Sequence, residues 1–243
     1  MPLLWAGLVL AVPGCLNAQL HLIQGQQLVA ALNSSAANTN LYGTDYATAQ
    51  NGTSARIDWT GSPRTAISEC STFLTLLLEH TYGYSSSVFA ARTGHTSPTA
   101  AVYHDDIAAG KSFAKLSGPA NLLPGDTIAV KYPAGQESTG HVMTVVSVGS
   151  WQPRSNSAQT FLTAGYSEIL GYYDVTVMDS TASFHGPADT RAGKPGGIGI
   201  GVARFYVGAG FSFTGYTWST DNTSAYYSAA NSGHLTAFGR WIQ

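Results

Sequence analysis

The order of patterns along this 243-residue chain predicts an α+β fold, with helices first and a mainly antiparallel sheet after them. Three observations carry that prediction. Leu20 to Leu32 reads LHLIQGQQLVAAL, with apolar residues spaced for one buried helical stripe. Ile67 to Tyr84 reads ISECSTFLTLLLEHTYGY, in which Phe73, Leu74, Leu77 and Leu78 share a helical face and Tyr82-Gly83-Tyr84 supplies a glycine stop. Beyond Asp126 the period changes to β-branched runs bounded by Gly and Pro: DTIAVK, HVMTVVSV, YYDVTVMD and GIGVARFY, with FSFTGYTWS as a fifth strand.

The remaining segments follow from turn chemistry and capping. Residues 33–54 are polar and rich in Gly, Asn and Thr, which predicts a long loop. Ser68 is placed to cap the second helix, since its hydroxyl can accept from first-turn N–H groups. Between Ser85 and Ala120, short helical signals over Ala100 to Ile107 and in Lys111 to Leu116 alternate with Gly and Pro breaks. Leu123-Pro124-Gly125 turns into the first strand, and Asp126 is read as closing that turn onto backbone donors. Residues 156–168 read as a loop. The aromatic tail from Trp218 to Trp241 is read as edge packing over the sheet, or as a glycan-contacting surface.

Composition bounds the function classes. The chain is 44% hydrophobic and only 10% charged, with a formal net charge of −2, which argues against nucleic acid or an acidic membrane surface as the main partner. The N-terminal MPLLWAGLVLAVPGCLNAQ is apolar from Leu3 to Val12, too short to span a bilayer but long enough for a signal-peptide core. The expected division is therefore a signal peptide over 1–18 and one α+β domain with long loop decorations over 19–243. Val12-Pro13-Gly14-Cys15 offers a lipoprotein signal as the alternative. A secreted, periplasmic or envelope location with no membrane span follows. Because Cys15 falls in the leader, Cys70 is left as one unpaired extracytoplasmic thiol, which oxidation makes a liability unless the thiol is either fully buried or used.

Use requires partners. A cysteine nucleophile needs an imidazole to take and return its proton, and a group to orient that imidazole. His141 follows Gly140 at the start of a strong strand, read as placing it at a sheet edge with its ring free, and Asp179 ends the next strand. The expected site is Cys70, His141 and Asp179. His185, in FHGPADTR, is the rival orienter, and Asp179 also fits as a turn cap before Ser180-Thr181. Asp189 and Arg191 are read as a structural ion pair. His80, His95 and His104 lack ligand spacing with one another, and His104-Asp105-Asp106 is read as a solvated loop rather than a metal site.

Cys70-Ser71 opening an apolar helix, LLPGDTIAV from Leu122 to Val130 and GHVMTVVSV from Gly140 to Val148 together resemble the NlpC-type and CHAP cysteine peptidase families. The resemblance spans about residues 67–201; Glu69 and Thr72 stand where those families often carry Asp and Gly. It implies a papain-like core, Cys70 as nucleophile, His141 as base and Asp179 as third residue. It further implies cleavage of an amide bond in peptidoglycan or another peptide substrate, through a thioester and without a cofactor or metal. A non-catalytic cell-wall or glycan-binding module on the same fold and a Cys-His acyltransferase are the alternatives.

Overall fold

The computed structural model describes residues 20–43, 56–194 and 196–243. The expected leader over 1–18, with Cys15, lies outside the described residues, as does half of the loop over 33–54. Four helices are formed among the described residues: α1 (Leu20–Asn33), α2 (Cys70–Tyr82), α3 (Ser86–Thr93) and α4 (Ala100–Ala109). In α2 the apolar stripe behaves as its spacing requires: Phe73, Leu74, Leu77 and Leu78 are fully buried, each worth about 1.5–3 kcal/mol of transfer free energy. Gly83 ends this helix in the left-handed conformation at φ 66°, and its N–H donates to the Glu79 carbonyl. His21 ties the first two helices to the sheet. Its Nδ1 meets the Tyr82 hydroxyl at 2.9 Å and its Nε2 the Gly125 carbonyl at 2.8 Å. Burial lowers its pKa, so the ring is neutral, donating to the carbonyl and accepting from Tyr82.

The strands are β1 (Thr39–Tyr42), β2 (Arg56–Ile57), β3 (Thr65–Ser68), β4 (Phe113–Leu116), β5 (Thr127–Lys131), β6 (Gly140–Val148), β7 (Gln152–Pro153), β8 (Gly171–Thr181), β9 (Gly197–Val207), β10 (Phe213–Thr217), β11 (Tyr226–Ser228) and β12 (Leu235–Trp241). The large sheet runs β11-β10-β9-β8-β6-β5-β12-β4, with β7 paired to β8, and all its pairs are antiparallel. A small sheet β1-β3-β2 carries one parallel pair, β1 with β3. The α+β class with a mostly antiparallel sheet is therefore present.

The large sheet is rolled. Five strand steps separate β10 from β12, which in a flat sheet at about 4.8 Å per step would hold them ~24 Å apart. Yet the rings of Phe213 and Phe238 pack edge to face at 5.1 Å, and those of Phe205 and Phe238 at 5.9 Å. The inner face of this roll buries Ile128, Val130, Met143, Val145, Val175, Val177, Ala203 and Phe205. The helices cover the other face, where Cys70, Leu74, Leu78, Phe89, Tyr103, Ile107 and Trp241 form one cluster.

Several local expectations are corrected. Lys111 to Leu116 carries β4 rather than a helix, because Phe113 to Leu116 pairs with Trp241 to Phe238 across the chain. Ser68 does not cap α2. It ends β3, its carbonyl accepts from Ser180 Oγ at 2.6 Å, and its own hydroxyl finds no partner among the described residues. Glu69 takes the cap position without a side-chain capping bond. Part of the 33–54 loop is strand β1, held parallel to β3 and pinned where Asn40 bonds both the N–H and the carbonyl of Ile198. The tail is not edge packing: β12 inserts between β5 and β4, and Trp241 is buried. The reading of Asp126 holds, since it accepts from the Leu123 N–H at 2.7 Å and from Arg240 at 2.7 and 2.9 Å.

Candidate active site

Pairing between β6 and β8 sets the site. Thr144 faces Met178, so continuing this antiparallel register brings His141 opposite Thr181 and diagonal to Asp179 on one face of the sheet. His141 therefore does not sit at a sheet edge with a free ring. Its strand lies between β5 and β8, and the side chain is buried. The bond from Ser180 to the Ser68 carbonyl draws the start of α2, and Cys70 with it, onto this end of the sheet. Cys70 is a free, buried cysteine.

Asp179 is the centre of the cluster, with no exposed surface. Its Oδ2 accepts from His141 Nε2 at 2.6 Å and from His185 Nε2 at 2.9 Å. Its Oδ1 accepts from Arg191 Nη1 at 2.8 Å, and the same guanidinium reaches Asp189 through Nη2 at 2.7 Å. His185 is thus not a rival for His141; it lies behind Asp179, on the same carboxylate oxygen. Its Nδ1 meets the Trp218 carbonyl at 2.7 Å, so both ring nitrogens are held by oxygen partners. Burial would raise the Asp179 pKa, but the charges of His185 and Arg191 and the bonds from both histidines hold it well below the usual carboxylate range.

His141 carries the complementary effect. Burial favours its neutral form, yet the charge of Cys70, hydrogen bonds to Asp179 and Cys70, and the charge of Asp179 outweigh that and raise its pKa to about 10. Since Nε2 is occupied by Asp179, Nδ1 is left for the sulfur. Trp218 clamps both imidazoles, edge-on to His141 at 4.7 Å and stacked on His185 at 4.2 Å. Chemically, this is a sulfur beside a protonated imidazole whose far nitrogen is fixed by a buried carboxylate.

The ligand atoms of His141, Asp179 and His185 lie within 4.8 Å of one another. Two donors on one tetrahedral Zn²⁺ at about 2.0–2.1 Å stand ~3.3 Å apart. Contacts of 2.6 and 2.9 Å are hydrogen bonds instead. The other histidines and acids are engaged separately: His80 stacks on Trp59 at 4.0 Å, Asp105 pairs with His104 and Lys131, and Asp106 bonds Ser112. A cavity of about 370 Å³ opens beside His141, lined among others by Tyr42, Tyr132, Tyr216, Trp218 and Tyr227.

No family model and no solved structure matches the chain. An uncharacterized protein of Acanthamoeba polyphaga mimivirus is 30% identical over 167 residues, covering 66% of this chain and 72% of that protein. The chain belongs to that protein's family. Nothing in the printed description of this mimivirus relative states an activity. Among the described residues of this family member, no helix is long and apolar enough to cross a membrane.

Two groups of residues in this member of the mimivirus protein's family lie beyond the sequence expectations. Arg191 was read as pairing with Asp189 alone, whereas it also holds Asp179. Its signal is the alternation Gly197-Ile198-Gly199-Ile200-Gly201. A Cβ on Gly199 would meet the Arg191 side chain at 2.6 Å, and one on Gly201 would meet Asp189 and His185 at the same distance. A strand with one bare face marks a layer of buried side chains upon it. The tyrosines of the cavity come from four separate strands or strand ends and leave no local pattern.

Proposed function

We propose that this chain is a cysteine amide hydrolase with a papain-like core, using Cys70 as nucleophile, His141 as general acid and base, and Asp179 to fix the imidazole. The observation that carries the reading is the continuous buried chain from the Cys70 sulfur through His141 to Asp179. The Cys70 sulfur attacks the carbonyl carbon, and the protonated His141 delivers its Nδ1 proton to the leaving amine as the C–N bond breaks. The resulting thioester is hydrolysed by water, whose proton returns to His141, and the acid leaves with the sulfur restored. The first intrahelical bond of α2 runs from Phe73 N–H to Glu69 O at 2.9 Å, so the N–H groups of Cys70, Ser71 and Thr72 precede it and are available to an oxyanion.

A peptide amide, in peptidoglycan or in another peptide, is the substrate class that the family resemblance supplies, together with a location outside the cytoplasm.

The direct test is alkylation of the native protein. Iodoacetamide should modify Cys70, and the rate should fall at least ~tenfold in His141→Ala, because the imidazolium that pairs with the sulfur is gone. A Cys70 silent to the reagent in the native protein would identify an inert packed thiol and a binding module instead.

The pH profile provides a second check. With a folded pKa of about 10 against an ordinary 6.5, His141 stays protonated through neutral pH and loses its proton as pH rises through about 10. Amide cleavage should fall along an alkaline limb near pH 10, as the leaving amine loses its acid. The stabilisation from this pairing has the same sign: it is fully present below pH 6.5 and lost through about 10. An alkaline limb near neutrality would exclude His141 as the acid.

A further inference from the structure

Among the described residues, the lining of the cavity beside His141 contains no acidic or basic side chain apart from His141 itself. Uncharged aromatic side chains, Tyr42, Tyr132, Tyr216, Trp218 and Tyr227, make up much of the lining, beside the hydroxyls of Ser138, Thr181 and Ser183. It reaches the reacting groups through His141, which lines it and whose ring bonds the Cys70 sulfur. Burial first, then Cys70, Glu69 and Asp179, push the Tyr42 hydroxyl up to about 12, so it stays neutral; those two acids lie outside the lining. The rear wall is neutral as well. His234 stacks between Tyr132 at 4.5 Å and Tyr227 at 4.5 Å, bonds the Tyr216 hydroxyl at 3.0 Å, and has its pKa lowered by burial.

Such a wall penalises an ionised group, which would lose water without gaining a partner, and rewards an apolar ring that can stack or meet ring edges. Carboxylates and side-chain amides, which pair with the ring hydroxyls of sugars, are absent from the lining among the described residues; it offers Ser, Thr and Tyr hydroxyls, of which that of Tyr216 is already engaged. We infer that this cleft is the substrate subsite beside the scissile amide and that it selects a peptide bearing an uncharged aromatic side chain there, excluding ionised ones. This inference rests on the hydrolase reading above and adds the chemistry of the residue next to the cleaved bond.

The test uses peptidyl chloromethyl ketones that differ only in the side chain preceding the ketone: Phe, Ala, Lys or Glu. Each alkylates Cys70 by displacing chloride, and the adduct is counted by mass spectrometry. The Phe reagent should inactivate at least ~tenfold faster than the Lys or Glu reagent, with Ala between them. Ser183 is exposed at the mouth, and Ser183→Asp should raise the Lys rate relative to Phe by ~tenfold while lowering the Glu rate. Tyr227→Ala should flatten the ranking. Iodoacetamide, too small to use the cleft, reports on the nucleophile separately. A labelled Cys70 with equal rates across the series, or faster reaction of a charged reagent, overturns the subsite alone. Protection of Cys70 by neutral N-acetylglucosamine oligomers with a flat ranking gives the cleft to a sugar and also overturns it. A Cys70 silent to iodoacetamide overturns the hydrolase reading and the subsite with it.

Discussion

Cys70→Ala abolishes amide cleavage and leaves the protein folded. The two halves of this expected result come from different physics. Removing the nucleophile of a coupled triad costs a factor on the order of 10⁶ in kcat, because no other group can form the acyl intermediate. The structural loss is one sulfur at the edge of the cluster formed by Leu74, Leu78, Phe89 and Tyr103, about 1 kcal/mol of packing. At this chain length that shifts the thermal midpoint by roughly 2–4 °C. Peptide-amide hydrolysis followed by product analysis, beside a thermal melt, separates the two. Retention of full activity would remove Cys70 from the mechanism, and collapse of the melt would return it to the role of a packed core residue.

Why the role of this cysteine was undecidable from its own helix is visible in the structure. Phe73, Leu74, Leu77 and Leu78 anchor α2 whether or not the thiol reacts, so the local pattern is the same in both cases. The contacts that bear on it lie 71 and 109 positions downstream, His141 at the sulfur and Asp179 at the far side of His141, and depend on the register of β6 against β8. Strands with strong β-branched runs were legible, and so were the ends of β6 and β8 from their Gly and polar residues. Elements that owe their form to a distant partner were not. Phe113 to Leu116 has helix-tolerant residues and becomes a strand because β12 pairs with it. Thr39 to Tyr42 becomes one because β3 and Ile198 receive it.

The ambiguity between Asp179 and His185 has a similar origin. Both are polar residues at or just beyond the end of one strand, and only the place of Asp179 on the strand after that of His141 ranks it first. The geometry orders them in series, with His185 and Arg191 behind the carboxylate that holds His141. That order explains the bare glycine face of β9, since the layer carrying Arg191 and Asp189 can lie there only if Gly199 and Gly201 have no side chains. A run that reads as loose and flexible in sequence is instead the floor of a dense electrostatic cluster.

Asp179→Ala should be the most destabilising substitution in the cluster. It leaves His141, His185 and Arg191 buried without their shared anion, and breaking a buried ion pair from one side costs about 3–5 kcal/mol. For a chain of this size the melting midpoint should fall by roughly 6–20 °C at neutral pH. The pH dependence identifies the cause. Because the native pKa of Asp179 is depressed, its stabilising contribution is present above the ordinary value of 3.8 and is lost as pH falls through the lower native value. The gap between wild type and variant should therefore be widest at neutral pH and narrow steadily below about pH 4. Thermal melts of both proteins from neutral pH down into that range provide the measurement. A gap that stays constant with pH would mean the loss is one of packing, and a gap of only a degree or two would mean that Asp189 and solvent suffice to hold its three partners.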